Sequence, residues 1–259
     1  MQMPVNSFKR ALREAKPQIG LWLGLVDPSA ADMLAGVGFD WLLIDAEHAP
    51  NDVRTVLAQL QAIAAHPVHA LVRPPHGATE LIKQYLDIGA QSLIVPMVET
   101  AEQAAQVVAA TRYPPRGNRG VASATTRASR WGRVEGYFER SDAEMCVIVQ
   151  VESVRGLDNL HAIAGVEGVD GVFFGPADLA ASMGFLGLPS EPRVQAAIKD
   201  GIAAVARSGK GVGTLTADRA LAREYLALGA TFMAVGIDMS LLAKAAAELA
   251  HEFKGGRSA

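Results

Sequence analysis

The chain has 259 residues and a mass of 27.3 kDa; half of the residues are hydrophobic, 20% are charged, and the net charge is −3. That length fits two small domains or one α/β barrel, and a compact chain of this size buries roughly 75% of its unfolded surface. The composition excludes a disordered chain, and the small net charge gives no global attraction to nucleic acid or to an anionic membrane.

A single cysteine, Cys146, excludes an intrachain disulfide. The first twenty residues carry charge where a secretory signal needs an apolar stretch. The longest charge-free run, 55–72, is interrupted by Gln59, Gln61, His66, Pro67 and His69, which a membrane span does not tolerate. A soluble protein of the reducing cytoplasm is expected.

Along the chain, short β-rich runs alternate with helical segments. The runs are QIGLWLGL (18–25), DWLLID (40–45), VHALVR (68–73), SLIVPM (92–97), EMCVIVQVE (144–152), GVFFG (171–175), GVGTL (211–215) and FMAVG (232–236). They are near-continuous apolar runs, the pattern of parallel strands covered on both faces. Helix starts are signalled at Pro28-Ser29, at Asn51, by a Thr100-to-Gln103 capping box, at Ser190-Glu191-Pro192, and by the alanine-rich stretch from Thr216. Gly89 and Gly229 stand where helices end.

Eight strand-then-helix units predict a single-domain (β/α)8 TIM barrel over 1–259; a doubly wound sheet of eight strands is large for this length. Gly211-Val212-Gly213 lacks the third glycine of a dinucleotide fingerprint, and no Walker A sequence is present. Two segments depart from the alternation. Residues 112–133 carry six arginines and no acid or lysine, which suits either an interface or surface loop meeting a neighbour's carboxylates, or capture of an anionic substrate. Nucleic acid is the weaker reading, because only Tyr113 and Trp131 are available to stack. The tail after Met239 is an amphipathic helix that closes the barrel or packs on another subunit.

In such a barrel the active site lies at the carboxyl ends of the strands. Strand two ends in Asp45-Ala46-Glu47-His48, strand three in Arg73, strand five in Gln150-Val151-Glu152, and strand six in Gly175-Pro176-Ala177-Asp178. Glu152 and Asp178 end adjacent strands, and two close carboxylates repel unless a proton or cation lies between them. A hard divalent ion such as Mg2+ or Mn2+ suits them; the competing reading is a salt-bridge network with Arg73 and Arg155. None of the seven lysines ends a strand at this face, so a Schiff-base mechanism is not expected. His48, flanked by carboxylates, suits proton transfer, whereas the other five histidines read as packing or surface residues. The turn Gly175-Pro176-Ala177 leads into a helix whose free amides suit a carboxylate group.

These segments, with DWLLIDAEHAPND, IKQYLDIGAQSLIVPMVET, QVES, FFGPADLAASMG and AVGIDMSLL in order, resemble the HpcH/HpaI family of class II pyruvate aldolases over nearly the whole chain. The resemblance implies cleavage of a 4-hydroxy-2-oxo acid, such as 4-hydroxy-2-oxoheptanedioate, to pyruvate and an aldehyde. Related sugar-acid aldolases acting on 2-keto-3-deoxy-aldarate or 2-keto-3-deoxy-rhamnonate share the pattern, and a keto-acid-binding barrel without turnover is the non-enzymatic alternative. It implies that Glu152 and Asp178 hold Mg2+ or Mn2+, with Co2+ a further candidate, and that Arg73 stabilises an enolate. It implies that His48, paired with Asp87, moves the C4 hydroxyl proton. Gln150, Gly175, Pro176, Ala177 and Asp178 would surround the keto acid, and Trp22 and Leu215 would line the aldehyde pocket. A homo-hexamer built as a trimer of dimers is implied as well, with no nucleic-acid or membrane partner.

Overall fold

A computed structural model describes residues 1–254. In chain order the elements are α1 (Ser7–Arg13), β1 (Gln18–Leu23), α2 (Pro28–Ala35), β2 (Trp41–Asp45), α3 (Val53–Ile63), β3 (His69–Arg73), α4 (Thr79–Asp87), β4 (Ser92–Val95) and α5 (Ala101–Ala110). There follow α6 (Tyr137–Glu144), β5 (Cys146–Val151), α7 (Val154–Asp158), α8 (Leu160–Ala164), β6 (Gly171–Phe174), α9 (Pro176–Ser182), α10 (Pro192–Arg207), β7 (Gly211–Leu215), α11 (Arg219–Ala227), β8 (Phe232–Ile237) and α12 (Asp238–Lys254). The eight strands pair in sequence order, all parallel, and β8 closes on β1. The expected (β/α)8 barrel is therefore the fold, and every predicted strand is present with ends that differ by at most two residues.

The continuous apolar runs work because each strand is buried on both faces, with successive side chains pointing to opposite sides. Trp22, Trp41, Leu43, Leu71, Ile94, Cys146, Ile148, Phe173 and Phe232 fill the barrel interior. Their alternates, among them Leu21, Leu42, Ile44, Val72, Leu93, Val147, Val149 and Val172, pack under the helices. Cys146 is thus a core thiol, pushed up by burial. A Cβ on Gly20 would lie 2.1 Å from the Trp41 ring, so only glycine lets that indole into the interior. The strand-and-helix pattern names no element before β1, yet α1 plugs the barrel floor with Phe8 and Leu12.

The capping box at Thr100 and Gln103 forms as expected. The cap of α3 is Asp52 rather than Asn51; Asn51 instead donates to the Asp45 carbonyl, leaving Asp52 to accept from Arg54 and Thr55. Gly89 and Gly229 end their helices at φ 104° and 108°.

The arginine-rich segment lies at the floor, far from the strand ends. Arg119 is fully buried, stacks over Tyr113 at 4.6 Å and pairs with Asp87 at 3.3 Å. Arg116 pairs with Asp142, and Arg127 donates to the Ile88 and Leu60 carbonyls. These three guanidiniums tie the chain to itself.

At the other end of the chain, the Asp238 carboxylate accepts from the Gly24 and Leu25 amides and anchors α12 beside β1. Beyond it Leu241, Leu242, Leu249 and Phe253 are exposed. The last five residues of the predicted tail, 255–259, lie outside the described residues. Among the described residues no helix is long and apolar enough to cross a membrane.

Candidate active site

The parallel register sets Asp45, the last residue of β2, directly opposite Arg73, the last residue of β3. Their side chains meet in a two-point ion pair: Arg73 Nε donates to Asp45 Oδ1 at 2.8 Å and Nη2 to Oδ2 at 2.7 Å. Arg73 Nη1 faces Glu47 Oε2 at 2.8 Å, and the guanidinium lies 4.9 Å from the Trp22 ring centroid. Burial alone would raise the Asp45 carboxyl, but the hydrogen bonds and charge of Arg73 outweigh it and hold that carboxyl below its ordinary value. Two carboxylates and an aromatic face thus fix the cation in one orientation while leaving part of its N–H fan uncommitted.

Next around the rim, β5 delivers Gln150 and Glu152, 2% and 3% exposed. Glu152 Oε1 accepts from the Met97 amide at 2.8 Å, and Oε2 accepts from the Gln150 side chain. Met97 adopts φ 54°, a left-handed conformation uncommon for a residue with a Cβ, and this turn after β4 aims its N–H at the carboxylate. Burial pushes the Glu152 carboxyl up to about 7, and the charges of Glu47 and Asp178 push it in the same direction. Neither Arg73 nor Arg155 neutralises it: Arg73 is held by Asp45 and Glu47, and Arg155 pairs with Glu99. The salt-bridge network that competed with a cation site is not formed.

Gly175 follows β6 and lies against Glu152; a Cβ there would sit 2.2 Å from Glu152 Oε2. Its N–H donates to the Val151 carbonyl, and Pro176 has none, so the amides left free at the start of α9 are those of Ala177 and Asp178. Asp178 stands in the first turn of α9, exposed at the rim. Trp22 and Leu215 belong to the inner apolar cluster at the mouth, where Trp22 Nε1 donates to Asp45 at 3.3 Å.

His48 follows β2 at the same mouth, its side chain 65% exposed and its Nε2 3.9 Å from Glu47. The expected pairing with Asp87 is not made within one chain. Asp87 is the last residue of α4, which runs back to the floor, and it is held there by Arg119. Asp45 and Glu47, named above only as residues ending strand two, prove to be the partners of Arg73; the signal for this was the in-register pairing of two consecutive strands.

The donors at the mouth fit a hard divalent cation. Glu152 is a buried carboxylate without a cationic partner, Gln150 Oε1 is buried without a hydrogen-bond partner, and both point to a missing positive or donating group. Among the described residues no three His, Cys, Asp or Glu side chains are grouped to hold an ion, so a cation at this mouth would have to draw its remaining ligands from substrate and water.

The family model described as HpcH/HpaI aldolase/citrate lyase matches residues 18–245. The chain belongs to the HpcH/HpaI family. It is 64% identical over 249 residues to a hydroxypyruvate/pyruvate aldolase of Deinococcus radiodurans, covering 96% of this chain and 90% of that one. It is 56% identical over 248 residues to an Escherichia coli 4-hydroxy-2-oxo-heptane-1,7-dioate aldolase, covering 96% and 95%. A crystal structure of an HpcH/HpaI family protein from Burkholderia cenocepacia superposes with a TM-score of 0.93 at 44% identity, covering 96% of this chain and all of that one. This HpcH/HpaI protein is accordingly an aldolase, a carbon–carbon lyase, and the turnover-free binding protein is set aside.

Proposed function

We propose that the chain is a class II aldolase that cleaves a 4-hydroxy-2-oxo acid to pyruvate and an aldehyde, reversibly, with a divalent cation held by Glu152 and Asp178. The observation that carries this reading is Glu152, a buried carboxylate with no cationic partner, while Arg73 is locked by two other carboxylates. Mg2+ and Mn2+ suit such all-oxygen donors, and Co2+ is a further candidate. When bound, the cation supplies Lewis acidity that favours enolate over ketone.

The protein's own groups do the rest. The Ala177 and Asp178 amides hold the keto acid's carboxylate, and Gln150 orients it. Arg73 offers its uncommitted N–H donors to the C2 oxygen, where negative charge grows as the C3–C4 bond breaks; a preorganised donor of this kind contributes about 3 to 4 kcal/mol. His48 accepts the C4 hydroxyl proton through water, and the aldehyde leaves past Trp22 and Leu215. The resulting enolate is protonated at C3 to give pyruvate. An Asp87 that assists His48 must come from another copy, since the two lie at opposite ends of one barrel. The bare apolar side chains of α12 support its packing on a neighbour in a homo-hexamer, a trimer of dimers, in the cytoplasm.

Relatives at 64%, 58% and 60% identity named for hydroxypyruvate and pyruvate support hydroxypyruvate as a second donor. The Escherichia coli relative supports 4-hydroxy-2-oxoheptanedioate as a cleavage substrate. The test is kcat/KM with each donor and with that dicarboxylate, beside 2-keto-3-deoxy sugar acids. Cleavage of none, with metal supplied, would refute the reading.

A further inference from the structure

We propose that Gln150 selects the donor: its Oε1 accepts a hydrogen bond from a hydroxyl on C3 of the keto acid, so that 3-hydroxy-2-oxo acids such as hydroxypyruvate are bound in preference to pyruvate. The inference rests on the aldolase reading and deepens it, by naming the group that reads the substituent on the carbon where the new bond forms.

Alternate residues of β5 face the barrel interior: Cys146 and Ile148 belong to its apolar filling, and Gln150 continues the same face one step higher, just below Glu152. Gln150 is buried and stands in register with Phe173 of β6, whose ring lies 5.4 Å from that of Trp22. The two ends of its side-chain amide meet different surroundings. The NH2 group donates to Glu152 Oε2, and because an ionised carboxylate accepts, that contact fixes which end faces it. Oε1 is left buried, with no hydrogen-bond partner among the described residues. An amide oxygen so placed costs free energy until a donor reaches it.

Pyruvate cannot supply that donor. Its carboxylate and keto oxygens accept hydrogen bonds, and its methyl group neither donates nor accepts. With the carboxylate at the α9 amides and the C2 oxygen at Arg73, C3 is the part of the keto acid left to meet Gln150. A hydroxyl on C3 carries the missing O–H. A water in its place would need roughly two to four polar partners, and the Ile148 and Phe173 side chains on this inner face give it none. Acids with an unsubstituted C3, 4-hydroxy-2-oxoheptanedioate among them, still bind and are cleaved; they leave Oε1 without its donor and lose affinity, not turnover.

The test measures dissociation constants of three donors with the Mg2+-loaded enzyme: pyruvate, hydroxypyruvate, and 2-oxobutanoate, in which a methyl group of similar size replaces the hydroxyl. Each is corrected for the fraction present as the free ketone. Hydroxypyruvate is expected to bind more tightly than pyruvate, and at least about tenfold more tightly than 2-oxobutanoate. Gln150→Met keeps the length of the side chain and removes Oε1. It also removes the donor to Glu152, so affinity for all three should fall, but the preference for hydroxypyruvate over 2-oxobutanoate should drop by a further factor of at least about five. Equal or weaker binding of hydroxypyruvate by the unmodified enzyme, or an unmoved preference in folded Gln150→Met, would overturn the proposal. So would a Gln150→Met defect confined to cleavage of 4-hydroxy-2-oxo acids, which would give Oε1 to the C4 hydroxyl instead. Should Gln150→Met fail to fold, the three donors with the unmodified enzyme decide alone. Loss of metal-dependent exchange of the pyruvate methyl protons in the unmodified enzyme would instead remove the aldolase reading, and this inference with it.

Discussion

Asp45 and Arg73 stand opposite each other at the ends of neighbouring strands and bind through two parallel N–H···O contacts of 2.7 and 2.8 Å. Asp45 also accepts from the Trp22 indole and the Glu47 amide, so this one carboxylate organises the mouth of β1, β2 and β3. Asp45→Asn should lower kcat by about a hundredfold with a smaller change in KM, because the guanidinium loses its fixed orientation and not its charge. Steady-state kinetics check this; unchanged kcat would show that Arg73 does not need the pair.

Arg73→Ala should lower kcat by about two to three orders of magnitude while leaving metal affinity intact, since Arg73 touches neither Glu152 nor Asp178 in its ion pairs. Turnover and metal titration on the same sample separate the two effects.

Replacing Glu152 should have opposite effects on activity and stability. Outer residues around metal sites already cost up to about a hundredfold in affinity, so removing a ligand by Glu152→Gln should cost at least that much and abolish metal-dependent turnover. The same change removes a buried carboxylate without a cationic partner, so the metal-free Tm should stay level or rise. A large fall in the metal-free Tm would assign Glu152 a structural role.

Gly175→Ala tests how closely β6 must approach β5. The added Cβ would meet Glu152 Oε2 at 2.2 Å and the Gln150 side chain at 3.1 Å. Weaker metal binding by about tenfold or more is expected, with helical circular dichroism preserved.

His69 sets an acid limit on stability. It is stacked on Phe8 at the barrel floor, and desolvation lowers its pKa to about 4 from an ordinary 6.5. Between those values the unfolded chain binds the extra proton, so stability should fall as pH drops from 6.5 towards 4. The ring is only partly covered, which makes the loss smaller than the full shift implies. His69→Gln should flatten this part of the Tm–pH profile; an unaltered slope would place the titrating group elsewhere.

The barrel and the residues at its strand ends were legible because strands buried on both faces must be apolar, and their first polar residues mark the rim. Arg73 ends β3, and Gln150 and Glu152 stand at the end of β5, where that logic puts them. What the sequence hid depends on distances between segments far apart in the chain. No spacing rule says that Gly175 donates its amide to Val151, or that Met97 turns to φ 54° to reach Glu152. The Asp87 carboxylate looked available for His48 until α4 carried it to Arg119. Arg119 and Arg127 read as surface charge because composition does not reveal that the segment folds back under the barrel.

The most direct measurement follows loss of the pyruvate methyl proton signal in D2O by NMR, with purified enzyme and Mg2+, and again after EDTA. It needs no knowledge of the aldehyde. The account predicts exchange that depends on the metal, disappears with EDTA, returns when Mg2+ is restored, and is lost in Arg73→Ala and Glu152→Gln. Exchange that persists without metal, or no exchange with any of Mg2+, Mn2+ and Co2+, would contradict it.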